Sequence, residues 1–256
     1  MTVRQVFYRM VGDGLIEKSE NQYKNTVDRL LIKMRREGKL PYEWLADSTR
    51  WMRKPRTHNG LEDALELTAE TYRRALWSNQ NVYVEVWLEK DALAGVLYPI
   101  TQKWDVPLMV VRGFSSLTFL YESAQAIRRK SKPAYLYYLG DYDPSGVDIT
   151  RAVEKGIREF APDAEIHFER IAVTSEQIKA WNLPTRPTKK KNDRFDDDYS
   201  VEVDAIPPRV LQGLVSDCIE RHIDEDALNR LLSVERAERE SLHMILDAWR
   251  KGAVEE

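Results

Sequence analysis

The stretch AYLYYLGDYDPSG, residues 134–146, sets the reading of the whole chain. Its first six residues are apolar or aromatic and suit a buried strand. Gly140, Asp141, Asp143, Pro144 and Gly146 then break that run and turn the chain into a helix expected over 145–160. Outward from it the pattern repeats. VYVEVWL (82–88) precedes a helical stretch over 91–104, and PLMVVRG (107–113) precedes one over 115–130. EIHFERIAV (165–173) follows as a fourth strand. Strands alternating with helices of this length imply βαβ units and a mainly parallel, Rossmann-like sheet, so the fold class is α/β.

The acids fall where these strands run out. Glu89 ends VYVEVWLE, and Asp141 and Asp143 end AYLYYLGDYD. Open α/β sheets collect ligands outside the carboxyl ends of their strands. Three carboxylates meeting there suit a hard divalent cation such as magnesium, which would act as a Lewis acid on a phosphoryl oxygen. Asp141 and Asp143 are two apart, so an extended chain places them on one side. Lys90 and Arg112 are candidates for stabilising developing negative charge. The same acids also suit helix N-caps. Capping is the preferred reading for Asp91 and competes with metal binding at Asp143. It does not account for Glu89 and Asp141 together.

Before the sheet, 2–16 and 21–38 carry helical apolar spacing, with Val3, Val6, Phe7, Met10 and Val11 in the first and Val27, Leu30, Leu31 and Met34 in the second. Residues 40–58 follow with Trp44, Arg50, Trp51, Arg53, Lys54 and Arg56. Short helices followed by a basic hairpin describe a winged-helix module that contacts phosphates and one DNA groove. Residues 1–58 hold 13 Lys/Arg against 7 Asp/Glu, although the whole chain is −3, and 195–256 hold 7 against 16. A basic first third suits a polyanion partner or an ordinary solvated face. The expected organisation is a winged helix over 1–58, a helical connector over 59–81, the α/β domain over 82–180, and a basic loop with C-terminal helices over 181–256. Arg186, Lys189, Lys190, Lys191 and Arg194 mark that loop, VEVDAI (201–206) an edge strand, and 207–222 and 225–250 the helices, which are expected to pack on the sheet or on a second subunit. Leu228, Leu231, Leu232, Leu242 and Leu246 form the apolar stripe of the last one.

The single cysteine, Cys218, excludes an internal disulfide and a cysteine-based zinc finger, and its apolar helical setting makes it a packing residue. The sequence lacks a membrane-length apolar run and a signal-peptide core. A cytoplasmic, nucleoid-associated protein is expected.

Glu89-Lys90-Asp91, Arg112-Gly113-Phe114 and Gly140-Asp141-Tyr142-Asp143-Pro144-Ser145-Gly146 resemble the Toprim domain. The acid-x-acid-Pro-x-Gly-x-x-Ile form is similar to the A subunit of DNA topoisomerase VI and to the related meiotic double-strand-break protein. Arg4-Gln5-Val6-Phe7-Tyr8 resembles that family's winged-helix segment holding the nucleophilic tyrosine, with an arginine four residues before it. The resemblance covers 1–58 and 82–175, and VEVDAI matches loosely. It implies that Tyr8 attacks a DNA phosphodiester to form a phosphotyrosyl link. Arg4 would support Tyr8 or bind the scissile phosphate, with Mg²⁺ held by Glu89, Asp141 and Asp143. It also implies a homodimer cutting double-stranded DNA, the tyrosine of one subunit serving the metal site of the other, with an ATPase or other regulatory partner. Seven residues precede Tyr8, where the topoisomerase subunit carries an extension that docks its ATPase, so a stand-alone relative is expected. Two other readings stay open: a Toprim nuclease that uses water, with Tyr8 packed in a helix, and a non-catalytic DNA-binding protein.

Overall fold

A computed structural model describes residues 1–45, 55–188 and 195–252. In chain order the helices are α1 (Val3–Gly12), α2 (Arg29–Arg36), α3 (Leu61–Thr71), α4 (Ala94–Lys103), α5 (Leu117–Lys130), α6 (Pro144–Phe160), α7 (Ser175–Ala180), α8 (Pro208–Glu220) and α9 (Glu225–Gly252). The strands are β1 (Tyr83–Leu88), β2 (Leu108–Val110), β3 (Ala134–Leu139), β4 (Ile166–Ala172), β5 (Arg186–Pro187) and β6 (Tyr199–Ser200). They divide into two compact units, Met1–Arg50 with Val82–Arg221 and Trp51–Asn81 with His222–Glu256.

In the first unit, β1 to β4 form one parallel sheet in the order β2-β1-β3-β4. The α/β class and the parallel sheet expected from the sequence are both present. Side chains alternate along each strand. Tyr83, Trp87, Leu136 and Tyr138 pack with Leu120, Ala124 and Ile127 of α5 and with Ile149, Val153 and Ile157 of α6. At the intervening positions Val84, Val86 and Leu88 are fully buried. From β1 the chain runs to β2 on one side and then returns across β1 to β3 on the other. The order therefore reverses between β1 and β3, where such sheets open a crevice at their carboxyl ends. Glu89 and Asp141 both stand just past those ends.

Two local expectations change. β2 stops at Val110 because the chain turns: Arg112 and Gly113 adopt φ 51° and 89°. VEVDAI is not an edge strand; Val201 bridges Tyr142 in antiparallel sense, and Val203–Ala205 then forms a 3-10 turn. The N-terminal region contains α1, a π-helical run (Gln22–Asp28) leading into α2, and a 3-10 turn (Tyr42–Trp44). Residues 1–45 contain no strand, and the expected hairpin residues Arg50, Trp51, Arg53 and Lys54 lie outside the described residues. Phe7, Tyr8 and Val27 form the core of this region. Cys218 is buried on α8, which packs on α4.

The second unit is a helical pair, α3 along α9. Ala69, Leu231 and Leu246 are buried, while Leu232 of the expected stripe is 44% exposed. Among the described residues no helix is long and apolar enough to cross a membrane.

Candidate active site

Backbone geometry brings Glu89 and Asp141 together. The Asp141 amide donates to Glu89 Oε2 at 3.1 Å. Gly140 makes room for this approach, since a Cβ there would collide with Glu89 Oε2 and with the Tyr138 ring. Gly146 serves the next turn, because a Cβ there would strike the Asp141 carbonyl oxygen. Arg170 on β4 clamps the same loop, donating to the carbonyls of Gly140 (2.9 Å), Asp141 and Gly146 (3.2 Å) and to Thr150 Oγ1 (2.6 Å). Burial and the nearby Asp141 push the Glu89 carboxyl up to about 7. Two carboxyls that repel one another in a half-buried crevice favour a cation between them.

Asp143 does not join them. β3 ends at Leu139, so the two-residue spacing no longer fixes a common side. Asp143 caps α6: its Oδ1 accepts from the Gly146 amide at 2.8 Å, and its Oδ2 pairs with Arg186 Nη2 at 3.3 Å. Among the described residues no three His, Cys, Asp or Glu side chains are arranged to hold a metal ion. The donor chemistry still suits a hard cation, since Glu89 and Asp141 both offer carboxylate oxygens at the switch point.

Lys90 is the hub of the pocket. Its Nζ lies 3.0 Å from Asp141 Oδ2, 3.0 Å from Glu202 Oε2 and 2.8 Å from Asp204 Oδ2. Burial opposes its charge, but Asp141, Asp204 and Glu202 outweigh burial and raise its pKa. Glu202 also meets Arg4 Nη1 and Arg186 Nη1, each at 3.2 Å. Burial alone would raise the Glu202 carboxyl; Lys90, Arg4 and Arg186 instead bring it down to about 2. These groups line a cavity of about 820 Å³ that also reaches Tyr23 and Arg35.

Arg4 therefore stands in the pocket, its guanidinium 4.6 Å above the Tyr23 ring. Tyr8 stands at its back. It is 4% exposed, with its ring 5.4 Å from that of Phe7. Adjacent residues of one helix are thus both buried, α1 being covered on two sides. The Lys18 ammonium lies 5.0 Å from the Tyr8 ring centre and donates to the Pro184 carbonyl at 2.8 Å. Burial, followed by the Glu202 carboxylate, drives the Tyr8 phenol well above its ordinary pKa. Arg112 turns elsewhere and pairs with Asp91 at 3.0 Å. Of the basic loop, Arg186 reaches the site, while Lys189, Lys190, Lys191 and Arg194 lie outside the described residues.

Sequence reasoning missed Glu202, Asp204 and Arg170 as site residues. The signal for the first two was present in VEVDAI, where acids two apart alternate with apolar residues. Their partner Lys90 lies more than a hundred residues earlier in the chain. Arg170 carried no signal, being one charge within a strand. The sequence matches no protein-family model and no curated protein.

Proposed function

We propose that this chain is a magnesium-dependent DNA strand-breaking enzyme resembling the topoisomerase VI A subunit. In this reading 82–180 is a Toprim domain and 1–58 a winged-helix DNA-binding module. The protein acts as a homodimer on double-stranded DNA at the nucleoid. The observation that carries the proposal is the placing of Glu89, through the Asp141 amide, next to Asp141 at the reversal of strand order, where Asp141 shares a cavity with Lys90, Arg4 and Arg186. Glu89 and Asp141 would hold the ion, with Asp143 joining once it leaves its cap. Bound magnesium supplies Lewis-acid stabilisation of charge on the phosphoryl oxygens. Arg4 and Arg186, now spent on Glu202, are placed to receive a phosphate by charge-assisted hydrogen bonds. Lys90 stabilises the charge that develops on it.

The nucleophile divides this proposal in two. The resemblance assigns attack to Tyr8, in trans to the site of a second copy. That route requires Tyr8 to leave its cluster and lose a proton that burial and Glu202 both hold on. The second reading is attack by water, and the 4% exposure of Tyr8 favours it. Incubation with supercoiled plasmid and magnesium, followed by denaturation, separates them. Protein attached to DNA ends, and lost in Tyr8→Phe, supports the tyrosine route. Nicking that survives Tyr8→Phe without attached protein supports water. An intact plasmid, cut by neither protein with magnesium present, refutes the enzyme.

A further inference from the structure

Three cations from separate parts of the chain end on one carboxylate. Arg4 on α1 and Lys90, just past β1, reach Glu202 Oε2 at 3.2 and 3.0 Å, and Arg186 on β5 reaches Oε1 at 3.2 Å. Each oxygen thus faces one arginine. Lys90 is shared with Asp141 and Asp204, and Arg186 with Asp143. Arg4 makes no other ion pair among the described residues. Glu202 is 7% exposed, whereas the Arg4 and Arg186 side chains keep 32% and 34%. All four residues border the 820 Å³ cavity.

A carboxylate and a phosphodiester present one negative charge shared by two oxygens. Guanidinium forks joined by a lysine point charge are the donor set that grips phosphate. A lone carboxylate is neutralised by one partner, and each further cation drawn to it costs desolvation. Glu202 also has freedom to leave. The main chain beside it is anchored: Val201 exchanges both backbone hydrogen bonds with Tyr142, and the Val203 amide donates to Asp141 Oδ1 at 2.9 Å. The side chain can therefore turn into the cavity while its backbone stays in place.

We propose that Arg4, Lys90 and Arg186 form a subsite for one backbone phosphate of DNA, that the Glu202 carboxylate occupies it in the free protein, and that the phosphate enters by displacing Glu202. One singly charged pair of oxygens then replaces another, so the arginines keep their charge balance. Tethered in place, Glu202 competes with every incoming phosphate. The apparent affinity for DNA is the intrinsic one reduced to the fraction of molecules in which Glu202 is out. The inference rests on the reading of this pocket as a phosphodiester site. Binding is measured without magnesium, so either claim can fail alone. Displacement without plasmid cleavage removes the proposed strand-breaking only, and cleavage without displacement removes this inference only.

The test titrates the full chain, in chelator, into a short fluorescein-labelled duplex and reads anisotropy over a range of salt. Glu202→Gln keeps the shape and an acceptor oxygen but drops the charge. It should bind about tenfold tighter than wild type, and its slope of log affinity against log salt should steepen by about one to two, close to one for each arginine freed. Arg4→Gln in the Glu202→Gln background should take back about one of that slope. Asp28→Asn removes the same charge at the same cavity from a residue that pairs with neither arginine, and should leave affinity and slope near wild type. A gain that Asp28→Asn matches, a slope unchanged in Glu202→Gln, or binding no tighter than wild type would overturn the proposal. Should Glu202→Gln not fold, Glu202→Asp decides in its place, because its carboxylate is one methylene shorter and reaches the arginines less well. Tighter binding than wild type supports displacement; equal or weaker binding refutes it.

Discussion

The α3–α9 pair and the pocket at the sheet edge use the same residue types in opposite ways. In the helical pair arginines meet glutamates at side chains that are mostly open to water. Arg250 meets Glu62 and Glu66, Arg74 meets Glu238, and Arg239 meets Glu235 and the Tyr72 carbonyl. Except at the buried Glu235, the pairs sit on half-exposed side chains, where solvent weakens them. At the sheet edge Lys90 serves Asp141, Glu202 and Asp204, Arg4 and Arg186 also reach Glu202, and the three acids are buried. Solvated ion pairs add little to the packing of two helices. Desolvated charges keep a capacity for a ligand, and burial makes them costly to maintain for structure alone.

Removing one acid from each region sharpens that contrast most. Asp141→Asn takes away the carboxylate charge that faces Lys90 and keeps the backbone amide that holds Glu89. In the plasmid assay it should lower magnesium-dependent cleavage by on the order of a hundredfold or more, as losing one electrostatic element of such sites does. Glu238→Gln, on α9, should leave cleavage unchanged. Equal losses from the two substitutions would erase the distinction.

The loop between β3 and α6 gives the next largest effect, on stability. Gly146→Ala places a methyl group against the Asp141 carbonyl oxygen, while Gly213→Ala, inside α8, meets nothing within 4 Å. The first should destabilise by about 1–3 kcal/mol through overpacking. The second should stabilise by about 0.5–1 kcal/mol, since alanine loses less backbone entropy in a helix. Urea titrations of both proteins measure the difference. A Gly146→Ala protein as stable as wild type would show that the loop has room to shift.

The same loop marks how far the sequence could be read. AYLYYL, VYVEVWL and the cap Asp143-Pro144-Ser145-Gly146 are local signals, and β1, β3 and α6 follow them closely. The βαβ pattern carries the parallel sheet, but the strand order that sets β1 beside β3 and brings Glu89 to Asp141 is a pairing of distant segments with no local signal. Glu202 and Asp204 escaped because their meaning depends on Lys90, a contact between distant parts of the chain. VEVDAI alternates as a strand would, yet the Val203 amide is taken by Asp141 Oδ1 and the backbone closes into a 3-10 turn. Asp143 was legible twice over, as ligand and as cap, and in this conformation the cap and Arg186 hold it.

Glu85 offers a smaller effect with a defined sign. It lies in the middle of β1, 2% exposed, accepting from Tyr83 Oη and Trp87 Nε1, both at 2.8 Å. It has donors for both oxygens, yet burial still pushes its carboxyl above the ordinary glutamate value. A carboxyl with a raised folded-state pKa binds its proton more tightly when folded. Its contribution is therefore complete in acid, below the unfolded pKa, and is lost as pH rises through the folded value. Glu85→Gln cannot ionise and keeps an acceptor. Its melting temperature should match wild type in acid and exceed it increasingly toward neutral pH. Parallel curves at all pH values would mean that Tyr83 and Trp87 stabilise the anion fully.

The smallest effect belongs to the solvated pairs themselves. Arg250 contacts Glu62 at 2.6 Å and Glu66 at 3.2 Å, close enough to invite a structural role. Its side chain is 42% exposed and those of its partners 54% and 50%. Water already solvates all three, and ordering two long side chains offsets part of the attraction. Arg250→Ala should therefore leave the melting temperature within the scatter of repeated scans, at low salt and at high salt alike. The buried apolar positions Ala69, Leu231 and Leu246 then carry the packing of α3 on α9. A loss as large as that expected of Gly146→Ala would show that these solvated ion pairs hold the helices together, and burial would no longer separate the two regions.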